Sequence, residues 1–422
     1  MTTAQRGSDA SWLLWLCASR TGFALMFTAY AAAIPLLKPD WGMTAGETGL
    51  IQSAWPAGYL LSLVAVGFLA DRYGAKRVFL FSSIASSISA MVFALFADSF
   101  LTGMLLYGMT GLFSGGSYTP GLALIAERFQ SGGRGRAMGF YIAAASGGYA
   151  LALVITGALT PFIGWRGAFI VNACGPVAGT LLALYALRAT PNVVHPRSAE
   201  HAAEKPVGVI LANKPAMLVT WAYTFHSWEM LGMKAWMPAF LAAAAAYTTG
   251  SSATASASLG AGLAAIAYVG SMAGSVTGGW LSDRMGRTWT MLLLATTSAS
   301  CSLLLGWMIG LPLWLLVVIC FVYSFTAVGD SSVFSTAVTE LVPPRHIGAA
   351  YSMRSVLGFG AGAIAPWVFG LVLDAAGAAQ ASQVVTWGLA WCSLGVIAMM
   401  SPLATWRLRR MPEAVQMAGG KR

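Results

Sequence analysis

Apolar and polar positions fall into long blocks along this chain. Runs of apolar residues follow one another with only short polar or charged breaks, and a helix that crosses a bilayer needs roughly 20 such residues. Twelve runs reach that length, at about 12–37, 48–70, 78–97, 100–126, 137–159, 166–188, 216–245, 257–281, 288–309, 312–340, 347–373 and 384–406. The runs at 100–126 and 312–340 exceed the hydrocarbon thickness, which predicts tilt or extension beyond it. The longest polar stretch, 189–215, carries Pro191, Pro196, Pro206 and Pro215 in the middle of the chain. The pattern therefore predicts an all-α membrane protein of twelve transmembrane helices in two six-helix bundles, residues 1–188 and 216–422, joined by a linker at 189–215. A cleavable signal is not expected, because the apolar run that starts at Trp12 continues far past a signal core.

Composition agrees: 57% of residues are hydrophobic and 9% charged, with a mean hydropathy of +0.70. A soluble domain of this size does not need so apolar a surface, so the bilayer is the first expected partner. A net charge of +10 raises the question of nucleic acid, and the distribution answers it. With the N-terminus inside, nineteen of the 24 Lys and Arg residues fall on the cytoplasmic side, Lys38 and Arg166 alone on the other, and Arg20, Lys234 and Arg354 within spans. That is the positive-inside pattern, which orients a membrane protein and implies no polyanion. It places both termini in the cytoplasm, in a bacterial inner membrane. The five cysteines all fall inside predicted spans without metal-ligand spacing, so they read as small packing residues. No phosphate-binding G-x-x-x-x-G-K run and no nucleophile constellation is present, which argues against an enzyme and against direct ATP drive. No metal and no cofactor is expected, and the chain reads as a monomer.

One segment occurs twice, 212 positions apart. Gly67-Phe68-Leu69-Ala70-Asp71-Arg72-Tyr73-Gly74 precedes Lys76 and Arg77, and Gly279-Trp280-Leu281-Ser282-Asp283-Arg284-Met285-Gly286 precedes Arg287. Each copy ends a long apolar run. A looser repeat follows: Glu127, Arg128, Arg134 and Arg136 lie between spans four and five, and Glu340 and Arg345 between spans ten and eleven. A duplicated half-chain with matching charged hairpins is the layout of a transporter built from repeats. Gly67 and Gly279 are expected where helices approach closely, and Gly74 and Gly286 where a tight turn needs positive φ. Asp71 and Asp283 stand at helix ends, where a carboxylate suits the positive N-terminus of another helix.

At this point the chain resembles the major facilitator superfamily over nearly its full length: twelve spans, a 6+6 division, a central loop and both D-R-x-G hairpins. The resemblance implies two bundles around a midplane site that opens alternately to either side. It further implies that Asp71 faces the start of span eleven near Gly348, and Asp283 the start of span five near Ala137. Arg72, Arg284, Glu127, Glu340, Arg136 and Arg345 would complete a charge lattice that latches the cytoplasmic side. Ala75 stands where many members carry a basic residue. The alternative reading of these charges is that they set topology only.

Substrate chemistry has to come from within the spans. Arg20, Glu229, Lys234, Asp330, Arg354 and His226 lie there, and each charge at a helix centre costs roughly 2.5–3.5 kcal/mol on insertion scales, so each needs a partner, water or a task. Arg20, His226, Asp330 and Arg354 lie about eight to eleven residues from the cytoplasmic end, roughly 12–16 Å deep. Two buried arginines suggest a small anionic substrate, because a guanidinium fork fits a carboxylate or similar planar anion. The arrangement is similar to family members that exchange oxalate, formate or other small carboxylates. The competing reading pairs Arg354 with Asp330 and Arg20 with a carbonyl. His226 and Glu229, three apart on one helix face, suit a hydrogen-bonded proton site, with Asp330 as a second carboxylate for coupling. Lys234 is expected to snorkel toward the outer end. His226, Tyr30, Trp228 and Tyr323 are further candidates to line the cavity and bind substrate beside the two arginines. A proton-driven exporter of hydrophobic compounds is the alternative function, although span five, with Ala143-Ala144-Ala145-Ser146-Gly147-Gly148, lacks the Gly-Pro pair of many drug/proton antiporters.

Overall fold

Apolar runs this long leave the backbone no water to bond to, so they close their hydrogen bonds within helices. A computed structural model of the chain describes residues 3–129, 131–194, 206–343 and 346–421. Its helices are α1 (Thr3–Asp40), α2 (Ala45–Tyr73), α3 (Ala75–Phe96), α4 (Phe100–Ser114), α5 (Thr119–Arg128), α6 (Ser131–Leu187), α7 (Pro206–Ala212), α8 (Lys214–Thr249), α9 (Ala253–Met285), α10 (Arg287–Leu305), α11 (Leu313–Leu341), α12 (Ile347–Ala378), α13 (Gln383–Ala398) and α14 (Met400–Arg409). Arg345 and residues 195–205 of the linker lie outside the described residues.

Among the described residues nine helices are long and apolar enough to cross a membrane. Three features reconcile nine with twelve expected runs. First, α6 is two helices: Gly164 sits at φ 69°, ψ 174° inside it, and Asn172 Nδ2 donates to Thr156 Oγ1 at 3.0 Å. Sixteen residues of straight helix would separate these groups by about 24 Å, so the chain folds back at Gly164. Second, α8, 36 residues long with His226, Glu229 and Lys234 aboard, is not one of the nine and matches the expected run at 216–245. Third, the run at 100–126 is interrupted, which corrects the expectation of one continuous span: α4 ends at Ser114, a single 3₁₀ turn covers Gly115–Ser117, and α5 starts with Pro120 in its first turn.

The chain divides into two compact units, one of residues 1–33 and 54–201, the other of residues 34–53 and 202–422. In the first, Trp12, Leu16, Phe23, Phe79, Ile125, Tyr141 and Leu187 form a buried cluster. In the second, Val219, Tyr223, Met291, Phe334, Val338 and Leu408 form another. A second aromatic group stacks Trp236 on Phe369 at 5.1 Å, with Trp387 and Trp391 around Phe240. Residues 34–53 join this unit through α2, whose N-terminus carries a capping box of Thr44 and Glu47. Asp374 of α12 reinforces it by accepting from Ala45 N at 2.8 Å and Gly46 N at 2.7 Å.

Close helix approach falls one residue before Gly279 and is absent at Gly67. A Cβ on Gly67 would meet nothing within 4 Å, and one on Gly279 only the Ser332 hydroxyl at 3.7 Å. The tight stripe is Gly270, Gly274 and Gly278 on α9, where added Cβ atoms would fall onto the carbonyls of Phe321, Phe325 and Gly329 of α11. Spacing of four residues keeps all three on one face.

Candidate functional site

The interruption of span four has a chemical product. Ser117, in the 3₁₀ turn, presents its hydroxyl to Arg20 of α1, which donates from Nη1 at 2.6 Å. Ser117 in turn donates to the Ser114 carbonyl, and the Tyr141 hydroxyl donates to the Ser117 carbonyl. Breaking the helix frees these backbone groups, and hydroxyls at membrane depth satisfy them again. The Arg20 guanidinium lies over the rings of Tyr118 and Tyr141, at 5.4 and 5.7 Å. It is 9% exposed, and its Nε has no hydrogen-bond partner.

The second unit repeats that construction with different helices. Arg354 of α12 donates from Nη1 to Ser335 Oγ of α11 at 2.8 Å. Its guanidinium lies 4.3 Å from the Tyr223 ring and 4.9 Å from Tyr351, one turn earlier on its own helix. It too is 9% exposed with an unpartnered Nε. Neither arginine forms an ion pair among the described residues. Serine and tyrosine stabilise each cation without neutralising it, leaving donor capacity for an anion.

Asp330 is not the partner of Arg354, which corrects the expected pairing. Its carboxylate Oδ1 stands 3.2 Å from His226 Nδ1, both side chains at 1% exposure or less. The pair meets at ion-pair distance without hydrogen-bond alignment, since both Asp330 oxygens and His226 Nδ1 lack an aligned partner. The other ring nitrogen, Nε2, shares a hydrogen bond with the Ser331 hydroxyl at 3.1 Å. Glu229, also buried, is held by α10 rather than by His226: Ser298 donates to Oε2 and Ser302 to Oε1, each at 3.1 Å. Ser302 also bonds the Tyr323 hydroxyl. Hence α8, α10 and α11 meet in one buried polar region of two groups, Asp330 with His226, and, one turn along, Glu229 with its serines and Tyr323. A serine ladder suits a carboxyl group that changes protonation, because a hydroxyl donates to the anion and accepts from the acid.

Other expected cavity residues serve packing. Tyr30 is fully buried against Phe93 and Tyr107, and Trp228 donates to the Ser393 carbonyl of α13 at 3.3 Å. Gly232 takes the Leu394 side chain, and α8 runs through it unbroken.

The hairpin residues separate into two kinds. Gly74 and Gly286 both have positive φ, 87° and 93°, as the turn requires. Arg287 gathers the carboxylates of the second hairpin: it meets Asp283 at 2.5 Å and Glu340 at 2.9 Å, and donates to Ser282 Oγ at 2.7 Å. Glu340 also accepts from Ala418 N. Arg284 instead stacks on Trp280 at 4.0 Å and Arg72 on Tyr73 at 5.4 Å. Asp71 and Glu127 are exposed near the ends of α2 and α5, and Arg136 is exposed in α6. In the first unit Arg128 pairs with Asp9 of α1 at 2.7 Å. Sequence reasoning passed over Arg287 as the hub, although its signal, a basic residue directly after the second hairpin glycine, was visible.

Known proteins place this geometry. A probable 4-methylmuconolactone transporter of Cupriavidus pinatubonensis is 26% identical, over 82% of this chain and 81% of its own. A probable sulfoacetate transporter of Cupriavidus necator is 24% identical, over 88% of each. The fold is similar to a solved structure of a bacterial homolog to the human lysosomal transporter Spinster, inward-facing and unoccupied, with a TM-score of 0.73 and 17% identity over 97% of this chain and 98% of that one. A sequence model of the Major Facilitator Superfamily matches residues 16–271 and 230–421. The chain belongs to the Major Facilitator Superfamily, and is an integral membrane transport protein rather than an enzyme.

Proposed function

We propose that the protein is a secondary active transporter of a small organic anion, working by alternating access. One observation carries the reading: each unit holds a buried arginine, framed by serine and tyrosine, with no carboxylate paired to it among the described residues. An uncompensated guanidinium at membrane depth is costly, and an anionic solute supplies the missing charge. The relatives named for a muconolactone and for sulfoacetate support the same substrate class. Residues 1–188 and 216–422 act as the two moving bundles and 189–215 as their tether. The paired hairpins, with Gly67, Asp71, Arg72, Gly74 and Glu127 in one copy and Gly279, Asp283, Arg284, Gly286 and Glu340 in the other, latch one side. Glu229 carries the coupling proton, and Asp330 anchors His226.

The direct test is a thermal-shift series on purified protein with small mono- and dicarboxylates, sulfonates, neutral sugars and cationic drugs. A ligand of the folded state raises apparent stability by mass action, about 2.7 kcal/mol at 100 times its Kd. Stabilisation by carboxylates or sulfonates alone is expected. Stabilisation confined to hydrophobic cations would replace this reading with the exporter.

The charge asymmetry orients both termini to the cytoplasm of a bacterial inner membrane. A cysteine at Ser252, at the start of α9, is then expected to react with an impermeant thiol reagent in intact cells, while one at Val194 stays unlabelled until the membrane is opened. The opposite labelling would invert the topology.

A further inference from the structure

A groove of about 810 Å³ on the second unit has no role in the transport chemistry above. It lies between the first turns of α10 and the last turn of α14, lined by Trp289, Leu292, Leu293, Thr296 and Thr297 on one side and Trp406, Arg409 and Arg410 on the other. Its two ends differ in chemistry. At one end Arg409 lies 4.9 Å from the Trp289 ring and donates to Thr288 Oγ1 at 2.9 Å, while Arg410 lies 3.6 Å from the Trp406 ring. The start of α10, with its unsatisfied backbone N–H groups, adds positive potential there. From that end, Trp289, Leu292/Leu293 and Thr296/Thr297 follow one another at helical spacing, a stripe of weakly polar surface about 12 Å long that runs into the span.

We propose that this groove binds an anionic phospholipid of the leaflet that meets the 283–289 end of the helices. The headgroup phosphate lies against Arg409 and Arg410, and an acyl chain lies along Leu292, Leu293 and the Thr296 and Thr297 methyl groups. Three features select this occupant. Trp289 and Trp406 are 50% and 44% exposed, which suits the headgroup level, where amphipathic rings are favoured. Both arginines lie over indole rings, which hold them at that level and leave N–H groups free for phosphate oxygens. A free anion would use the charged end alone and leave the apolar stripe uncovered. A zwitterionic lipid would leave two cations facing one compensated phosphate.

Native mass spectrometry of the detergent-purified protein, incubated with phosphatidylglycerol or with phosphatidylcholine of matched chains, tests the site. The wild type is expected to retain phosphatidylglycerol in preference. Arg409→Gln/Arg410→Gln is expected to weaken that retention by roughly tenfold to thirtyfold, with phosphatidylcholine retention and basal melting temperature unchanged. Leu293→Asn, which spoils the stripe and spares the cations, is expected to weaken it as well. Arg134→Gln/Arg188→Gln, which removes the same net charge elsewhere, is expected to leave it intact. Undiminished retention in the Arg409/Arg410 double variant, equal retention of the two lipids, or the same thermal stabilisation from inorganic phosphate alone would each overturn the proposal.

Discussion

Arg20→Ala or Arg354→Ala is expected to lower affinity for the anionic substrate about tenfold to more than a hundredfold, since a hydrogen bond to a charged group contributes roughly 1.5–3 kcal/mol. The loss should reside in binding, and the reason is structural. Removing one member of a buried ion pair leaves the other charge stranded, and the fold suffers. Here each guanidinium is held by a serine hydroxyl and tyrosine rings. Deletion orphans no carboxylate, so melting temperature without ligand should change little. Arg354→Lys should recover part of the affinity, because an ammonium restores charge without the planar fork. Affinity and melting temperature follow from titrating the thermal shift of each variant with the best carboxylate of the series. If both alanine variants bind that ligand like the wild type, the arginines do not recognise it.

Glu229→Gln is expected to abolish uphill accumulation driven by a pH gradient and to leave substrate exchange partly intact. Glutamine has nearly the same shape, and the Ser298 and Ser302 hydroxyls can turn to bond it, so packing survives while the exchangeable proton is gone. Asp330→Asn should instead impair both activities. Asp330 is the carboxyl neighbour of His226, and that buried contact joins α8 to α11. Asparagine puts an amide against the imidazole in place of the carboxyl group. Vesicles reconstituted with each variant, compared under an imposed pH gradient and in counterflow at equal pH, separate the two outcomes. Accumulation that persists in Glu229→Gln, or wild-type transport indifferent to the gradient, would assign the driving force elsewhere.

Both experiments rest on residues that sequence alone singled out, and the reason is energetic. A charge inside an apolar run is rare enough to mark Arg20, His226, Glu229, Asp330 and Arg354 without any geometry. Their partners were not legible. Serine is common in these spans, so nothing marked Ser117, Ser298, Ser302 or Ser335 as hydrogen-bonding groups. Tyr351 was accessible in principle, one turn before Arg354. The break at 115–117 hid because a hydropathy window averages over a single turn, although Gly115, Gly116 and Pro120 are the residues that permit it. Close packing at Gly278 rather than Gly279 is a matter of helix rotation, about 100° per residue, which composition does not register. From sequence the only partner weighed for Asp330 was Arg354, and three-dimensional placement set it beside the histidine instead.

Asp374 also has a bearing on biosynthesis. It accepts from Gly46 N across 328 positions of chain, so the second helix is made and inserted long before the residue that caps it exists. Until α12 enters the membrane, the amides of Ala45 and Gly46 depend on water, and the backbone stretch around Pro366 and Gly370 that receives Gly49 and Ala45 is not yet there. The unit that contains most of the later chain is thus completed by twenty residues translated near the start. A fragment that begins at 202 lacks them and exposes a bare seam on α12, whereas co-expression with the earlier part can restore it.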